Sequence, residues 1–322
     1  MIGRGWFEKA FPHAERTILK PIGEVIETGR AIRTRARITF VRQREAVHRR
    51  FPAPIDVQPG PRVLAVVTHV ADPAREASES VERLERTLDG LLASLAHTRL
   101  RIVVNTVSDR HVTAALPEHQ RSRISVHGIS GVDPMYLGFC AQDEFERQID
   151  EADWFLYLED DLVLSDSLFI EKLAYFNSVT PDEALLIPNR YELWNGRKIY
   201  VDNVWRPELA WNRLTQVEVA DWRFAELENP HGGCYCLSQA QLRRWLEAGR
   251  SWYGLVSFVG PRESAATGCL QECFRLYKPH AANSHFLEIR HWGTTYAEAL
   301  LKRGVIEESR TPLGALAKNP AW

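Results

Sequence analysis

An α/β fold, with a mostly parallel central sheet flanked by helices, is predicted for this 322-residue chain by two features. One is a strand, helix, strand order: an apolar run at 63–67, a stripe of Val81, Leu84, Leu88, Leu91 and Leu95 at helical spacing, then Ile102-Val-Val104. A unit of that length joins two parallel strands through a right-handed crossover. The other is Trp154-Phe-Leu-Tyr-Leu-Glu159-Asp160-Asp161, five large apolar side chains that suit a strand covered on both faces and stop on three carboxylates. Ligands of open α/β sheets bind outside the carboxyl ends of such strands, so the acids are expected at a ligand site.

The elements follow in order. Residues 14–50 place Ile18, Ile22, Val25, Ile26, Ile32, Ala36 and Phe40 at three-to-four spacing among arginines, which predicts helix. Residues 1–50 carry ten Arg and two Lys against five Glu, about +7, so the remainder is about -9 within a net charge of -2. A basic helix suits either an anionic membrane surface or packing on the main domain with its arginines solvated. Phe51-Pro-Ala-Pro54 through Pro59-Gly-Pro61 reads as a linker, giving a basic helical extension over 1–61 and a main domain over 62–322. After the first β-α-β unit, a helix over about 138–150 leads into the acidic strand. Leu185-Leu-Ile187 and Lys198-Ile-Tyr-Val201 are further strands, and 239–248 is a helix with Leu242, Trp245 and Leu246 inward.

Composition is that of a globular protein, 45% hydrophobic and 25% charged. No run approaches the roughly 18 to 20 apolar residues of a membrane span, and the start lacks an apolar signal core, so a cytoplasmic location is expected, with peripheral membrane contact open to the basic segment. Five cysteines, Cys140, Cys234, Cys236, Cys269 and Cys273, are an odd count with neither spacing of a usual zinc pair, and they read as core. The basic residues are confined to the front end and carry no recognised motif, so nucleic acid is not an expected partner.

Three carboxylates at a strand end cost free energy unless a cation offsets them. A hard divalent ion, Mg2+ or Mn2+, is the simplest, since carboxylate oxygens are its preferred ligands and it commonly shares its shell with substrate phosphates. In extended chain Glu159 and Asp161 point to one side and Asp160 to the other.

The order of elements over 62–295 resembles the GT-A fold of nucleotide-sugar glycosyltransferases. The resemblance rests on the strand from Val63 to Thr68, the cluster Glu159-Asp160-Asp161, the turn His231-Gly232-Gly233 and the late His285 and His291. It implies a Rossmann-like domain whose "DXD" acids hold a divalent cation against the donor diphosphate. Glu159-x-Asp161 matches with Glu replacing the first Asp, and aligning the consecutive acids instead gives Asp160 a larger share. The resemblance also implies a late histidine as metal ligand, His291 at the end of an apolar strand, with His285 second. It implies nucleotide contacts from Thr68 and His69, with Asn105 or Asp109 after the second strand reading the base. His231, Gly232 and Gly233 correspond to the turn before an acceptor-side helix, although paired glycines also simply permit positive φ.

An inverting enzyme of this kind needs a base for the acceptor hydroxyl. Glu263 stands at about that position, followed by Ser264 where the family commonly has a second acid, with Glu272 and Asp221 in reserve. A Glu opening a helix is also favoured by the helix dipole alone. Tryptophans between 191 and 224 suit an acceptor wall or ordinary core. The expected activity is metal-dependent transfer of a sugar from a nucleoside-diphosphate donor to a hydroxyl on a glycan, lipid-linked or small acceptor, with inversion favoured. The competing readings are a carbohydrate- or nucleotide-binding scaffold without turnover, and a nucleotidyltransferase. The latter normally shows a glycine-rich basic loop where this chain has Thr68-His-Val-Ala-Asp72.

Overall fold

Strand β1 (Arg62–His69), helix α1 (Ala77–Ser94) and strand β2 (Arg99–Val107) form the expected crossover unit, with β1 and β2 parallel from Arg62 opposite Arg99 to His69 opposite Thr106. A short helix α2 (Glu118–Arg121) leads to β3 (Ile124–Ile129), parallel to β2. A 3-10 turn (Pro134–Phe139) and α3 (Cys140–Arg147) then deliver the chain to β4 (Trp154–Glu159), parallel to β1 on its other side. The sheet closes with β11 (Cys234–Ser238), antiparallel to β4, giving the order β11-β4-β1-β2-β3. The fold is α/β and Rossmann-like, with a central sheet that is parallel except at one edge. The structure is a computed structural model, and it describes residues 60–71, 76–108, 110–204, 214–227, 232–248 and 260–305. The basic segment before Gly60, together with Asp109, His231, Trp205, Trp211 and Trp252, lies outside the described residues.

Strand periodicity sends alternate residues of β1 into opposite layers. Val63, Ala65 and Val67 meet Leu84, Leu88 and Leu91 of α1, together with Phe169 and Phe176 of α4 (Phe169–Val179). Leu64 and Val66 meet Phe145 of α3 and Leu242 and Trp245 of α6 (Gln239–Glu247). A Leu held this completely costs about 2–5 kcal/mol to truncate to Ala, so these two layers fix where the strand ends lie. Helix α6 starts where its sequence says it should: Ser238 Oγ accepts from Gln241 N–H, and Gln241 Oε1 accepts from Ser238 N–H, a reciprocal capping box. Cys234 and Cys236 belong to the first layer and Cys269 to the second, so these thiols cannot converge on one zinc ion, and they pack as core.

Two smaller sheets extend the central one. One has the order β5-β13-β7-β8, from β5 (Leu162–Val163), β7 (Asn189–Trp194), β8 (Arg197–Ile199) and β13 (Glu288–His291). The other has the order β6-β12-β10-β9, from β6 (Ala184–Leu186), β9 (Gln216–Val219), β10 (Trp222–Glu226) and β12 (Arg275–Pro279). The strand expected over 198–201 stops at Ile199, and Val201 opens the single turn α5 (Val201–Val204). That turn folds Asp202 back onto β7, where its carboxylate accepts from the Arg190 backbone at 2.7 Å and from the Arg190 guanidinium at 2.8 Å, and pairs with Lys278 Nζ at 2.5 Å. Helices α7 (Pro261–Ala266) and α8 (Thr295–Lys302) complete the described elements. Among the described residues no helix is long and apolar enough to cross a membrane.

Candidate functional site

β4 stops at Glu159, and the chain turns through Asp160 and Asp161, so the three carboxylates reach three different environments. Asp160 folds back toward β1 and α1: its Oδ2 receives His69 Nδ1 at 2.5 Å and Arg83 Nη2 at 3.0 Å, and its carbonyl receives Thr87 Oγ1 at 2.9 Å. Glu159 lies against Gly233, which has φ +59° and precedes β11. Asp161 points the other way, its Oδ2 3.6 Å from His291 Nε2, while its buried Oδ1 has no hydrogen-bond partner.

Neighbouring topology explains the meeting of Asp161 and His291. β13 runs antiparallel to β5, with His291 opposite Leu162, and Trp292 N–H donates to the Asp161 carbonyl at 2.6 Å. On its other side β13 is parallel to β7, with Arg290 opposite Tyr191. The next pair in register brings Glu192 to His291, whose Nδ1 lies 2.8 Å from Glu192 Oε1. Burial lowers the His291 pKa, but its contacts with Asp161 and Glu192 raise it to about 9. Burial pushes Asp161 up, and the His291 imidazole outweighs it, leaving the carboxyl below its ordinary value. Glu159 has no such partner: burial and then the charge of Asp161 push it up to about 7, against the pull of Arg190 and Arg262.

The acids line a cleft of about 480 Å³ at the carboxyl ends of β1 and β4. Thr68 and Tyr157 are among its lining residues, with the Thr68 hydroxyl 3.5 Å from the Tyr157 hydroxyl. Arg83, Arg110 and Arg262 also line it, as do Asp133 and the apolar Pro134, Met135 and Leu137. A cleft lined by both carboxylates and guanidiniums can hold a phosphate ester through the guanidiniums and a cation through the carboxylates.

Among the described residues no group of three or more His, Cys, Asp or Glu is arranged to hold a metal ion by itself. The residues nevertheless fit a divalent cation shared with a ligand. The orphaned Asp161 Oδ1 needs a partner, Glu159 and Asp161 repel one another, and the 3.6 Å between Asp161 and His291 falls within the roughly 4 Å that two donors about 2.1 Å from one ion can span. Ions of this class commonly take one or two protein ligands and complete their shell with phosphate oxygens and water.

The residues expected at the site divide. Glu159, Asp160, Asp161 and Thr68 line the cleft, and His291 reaches Asp161. His69 was expected to meet a nucleotide and does not: it is 0% exposed, its Nδ1 is on Asp160, and its Nε2 accepts from Val112 N–H at 3.4 Å, so no polar atom remains for a ligand. Asn105 is buried in β2 between Thr68 and His127 and does not line the cleft. Gly232 and Gly233 sit beside Glu159 at the sheet edge and lead through β11 into α6.

Glu263 occupies the first turn of α7, but the cleft is lined by its neighbour Arg262. Asp221 and Glu272 are exposed and off the cleft. His285 packs its ring against Trp222 at 5.7 Å, away from the acids, because the turn Ala281–Phe286 carries it to the β10 side. Trp194 and Trp222 pack against the core, and Trp292 stacks between Arg86 and Arg290; none of the three lines the cleft.

No protein-family model matches the chain, and no curated protein matches it. Among solved structures it is similar to one described as mannose-1-phosphate geranyltransferase from Thermus thermophilus. The two share 17% identity and a TM-score of 0.37 over 68% of this chain and 73% of that one.

Arg83, Arg110, Arg262, Tyr157 and Glu192 were not singled out from sequence. Arg83 carried a signal: Ser80, Arg83 and Thr87 make a polar strip at i, i+3, i+7 beside the leucine stripe of α1, and Ser80 and Thr87 are buried. Arg110, Arg262 and Glu192 had none, since each meets the site only through distant chain.

Proposed function

We propose that this chain is a GT-A-type, metal-assisted glycosyltransferase that moves a sugar from a nucleoside-diphosphate donor to a hydroxyl acceptor. One observation carries the reading: Asp161, 3.6 Å from His291, lines the same cleft as Arg83, Arg110 and Arg262 at the carboxyl end of the central sheet. A diphosphate would bridge the guanidiniums and the cation held by the acids. Arg83, Arg110 and Arg262 would take its oxygens as charge-assisted hydrogen bonds, and Thr68 and Tyr157 line the same cleft. Asp161 and His291 would hold a divalent ion, whose chemistry is to neutralise charge on the departing diphosphate as the C1–O bond breaks. His69 and Arg83 fix Asp160, so the turn that presents Asp161 stays in place through turnover. The acceptor oxygen attacks C1 and gives its proton to a carboxylate, a role assigned here to Glu263, one residue from Arg262.

A second reading, nucleotidyl transfer, is favoured by the same arginines, since three guanidiniums suit a triphosphate as well as a diphosphate. The products separate the two. Incubation with nucleotide sugars and Mn2+ should release nucleoside diphosphate, with transfer to an added acceptor. Release of pyrophosphate from a nucleoside triphosphate and a sugar phosphate would replace the first reading with the second. Binding of neither nucleotide class would leave a scaffold.

A further inference from the structure

We infer that Glu192 is the positioning residue of this centre, the buried carboxylate that decides which nitrogen of His291 faces the cation; the inference rests on the metal-assisted reading above. Glu192 is 0% exposed on β7 and is met by donors on both oxygens. Oε1 lies 2.8 Å from His291 Nδ1 and accepts Tyr296 N–H at 3.1 Å, and Oε2 accepts Ala297 N–H at 2.6 Å. An ionised carboxylate only accepts, so the ring nitrogen that faces it carries the hydrogen. Nε2 is then the nitrogen left to bind a cation, and it is the one directed at Asp161.

The carboxylate is itself anchored independently of the ring. Tyr296 and Ala297 lie in the first turn of α8, where backbone N–H groups have no intrahelical acceptor. Two of these donors hold Glu192 from the helix side, and the cross-strand register of β7 with β13 brings the histidine to it. The Tyr296 ring, edge-on at 5.0 Å, closes off another face of the imidazole. Asp161 Oδ2 lies 3.6 Å from Nε2 and its Oδ1 is buried without a hydrogen-bond partner, so the carboxylate that ends the row from Glu192 through His291 keeps capacity for a cation. Histidine ligands of metals usually donate their second N–H to a carboxylate, and loss of that partner typically costs 10–100-fold in metal affinity.

The test is Mn2+ titration of the full-length chain, read by electron paramagnetic resonance of the free ion, on wild type, Glu192→Gln, His291→Ala and the double variant. Glu192→Gln should weaken Mn2+ by about 10–100-fold. The double variant should bind no more weakly than His291→Ala alone, because the effect of Glu192 passes through the ring. Wild-type affinity in Glu192→Gln, or losses that multiply in the double variant, would overturn the inference. Should the variants fail to fold, nitrogen-15 spectra of the wild-type chain decide it: on adding Mg2+, His291 Nδ1 should keep its proton while Nε2 shifts, and loss of the Nδ1 proton would overturn it. Mn2+ binding abolished in Asp161→Ala but unchanged in Glu192→Gln would sink this inference alone. A wild-type chain that binds no Mn2+ would remove the metal reading as well.

Discussion

Gly233 stands so close to Glu159 that a β-carbon at position 233 would come within 2.8 Å of Glu159 Oε2. The backbone contact that sets this distance is Glu159 N–H to the Gly233 carbonyl, 3.0 Å, at the start of the β4–β11 pairing. The glycine is needed twice, for its φ of +59° and for the space that Glu159 fills.

Gly233→Ala should therefore cost roughly 1–2 kcal/mol of stability and push the Glu159 carboxylate out of place. Chemical denaturation gives the first quantity and donor affinity the second. A variant as stable as wild type with unchanged donor binding would show that the close approach has no consequence.

Asp161→Ala should abolish metal-dependent donor binding while leaving the fold intact. The favourable contact of the carboxylate with His291 is offset by its unsatisfied buried oxygen and its repulsion of Glu159, so its loss should change stability by no more than about 1 kcal/mol, a shift in Tm of roughly 2–4 °C. Calorimetric titration of a nucleoside diphosphate with and without Mn2+ reads the binding. Unchanged turnover in this variant would discard the site.

Arg262 and Glu263 are adjacent on α7 and should fail differently. Arg262→Gln removes an exposed guanidinium that lines the cleft and should raise the donor KM by about 10–100-fold, the equivalent of one charge-assisted hydrogen bond of roughly 1.5–3 kcal/mol. Glu263→Gln should leave donor affinity alone and lower kcat. Steady-state kinetics on both variants test the pair, and full activity in Glu263→Gln would move the base elsewhere.

Asp202 supplies a stability prediction. Burial alone would raise its pKa, but Arg190 and Lys278 outweigh that and hold it far below the usual carboxylate range. A carboxyl depressed in the folded state stabilises the protein fully above its unfolded pKa of about 4, and that contribution is lost as pH falls through the folded value. Asp202→Asn should cost about 3–5 kcal/mol at pH 7, since it removes the counter-charge that two buried cations share. The gap between variant and wild type, measured by denaturant titration, should narrow as pH drops below about 4. A gap independent of pH would mean that the charge of Asp202 contributes nothing.

Much of the central sheet was legible because its signals are local. The leucine stripe of α1, the apolar runs of β1, β2 and β4, and the Ser238/Gln241 cap of α6 each depend on neighbours within a few turns or one strand. The boundary near Ile199 was misread because the pull on Asp202 comes from Arg190 and Lys278, which local pattern does not contain. His69 misled for a similar reason: a histidine at a strand end reads the same whether it faces a ligand or, as here, holds Asp160 from inside the core.

The sequence by itself determined a parallel α/β sheet and the place along it where three acids emerge, because strand and helix periodicities are written in adjacent residues. Only the tertiary structure decided the separate environments of those acids: Asp160 is tied to His69 and Arg83, Glu159 is set against Gly233, and Asp161 is turned toward a histidine held by Glu192. Those partners arrive from other strands and helices through register and crossover. Charge interactions fall off with distance in space and take no account of separation along the chain.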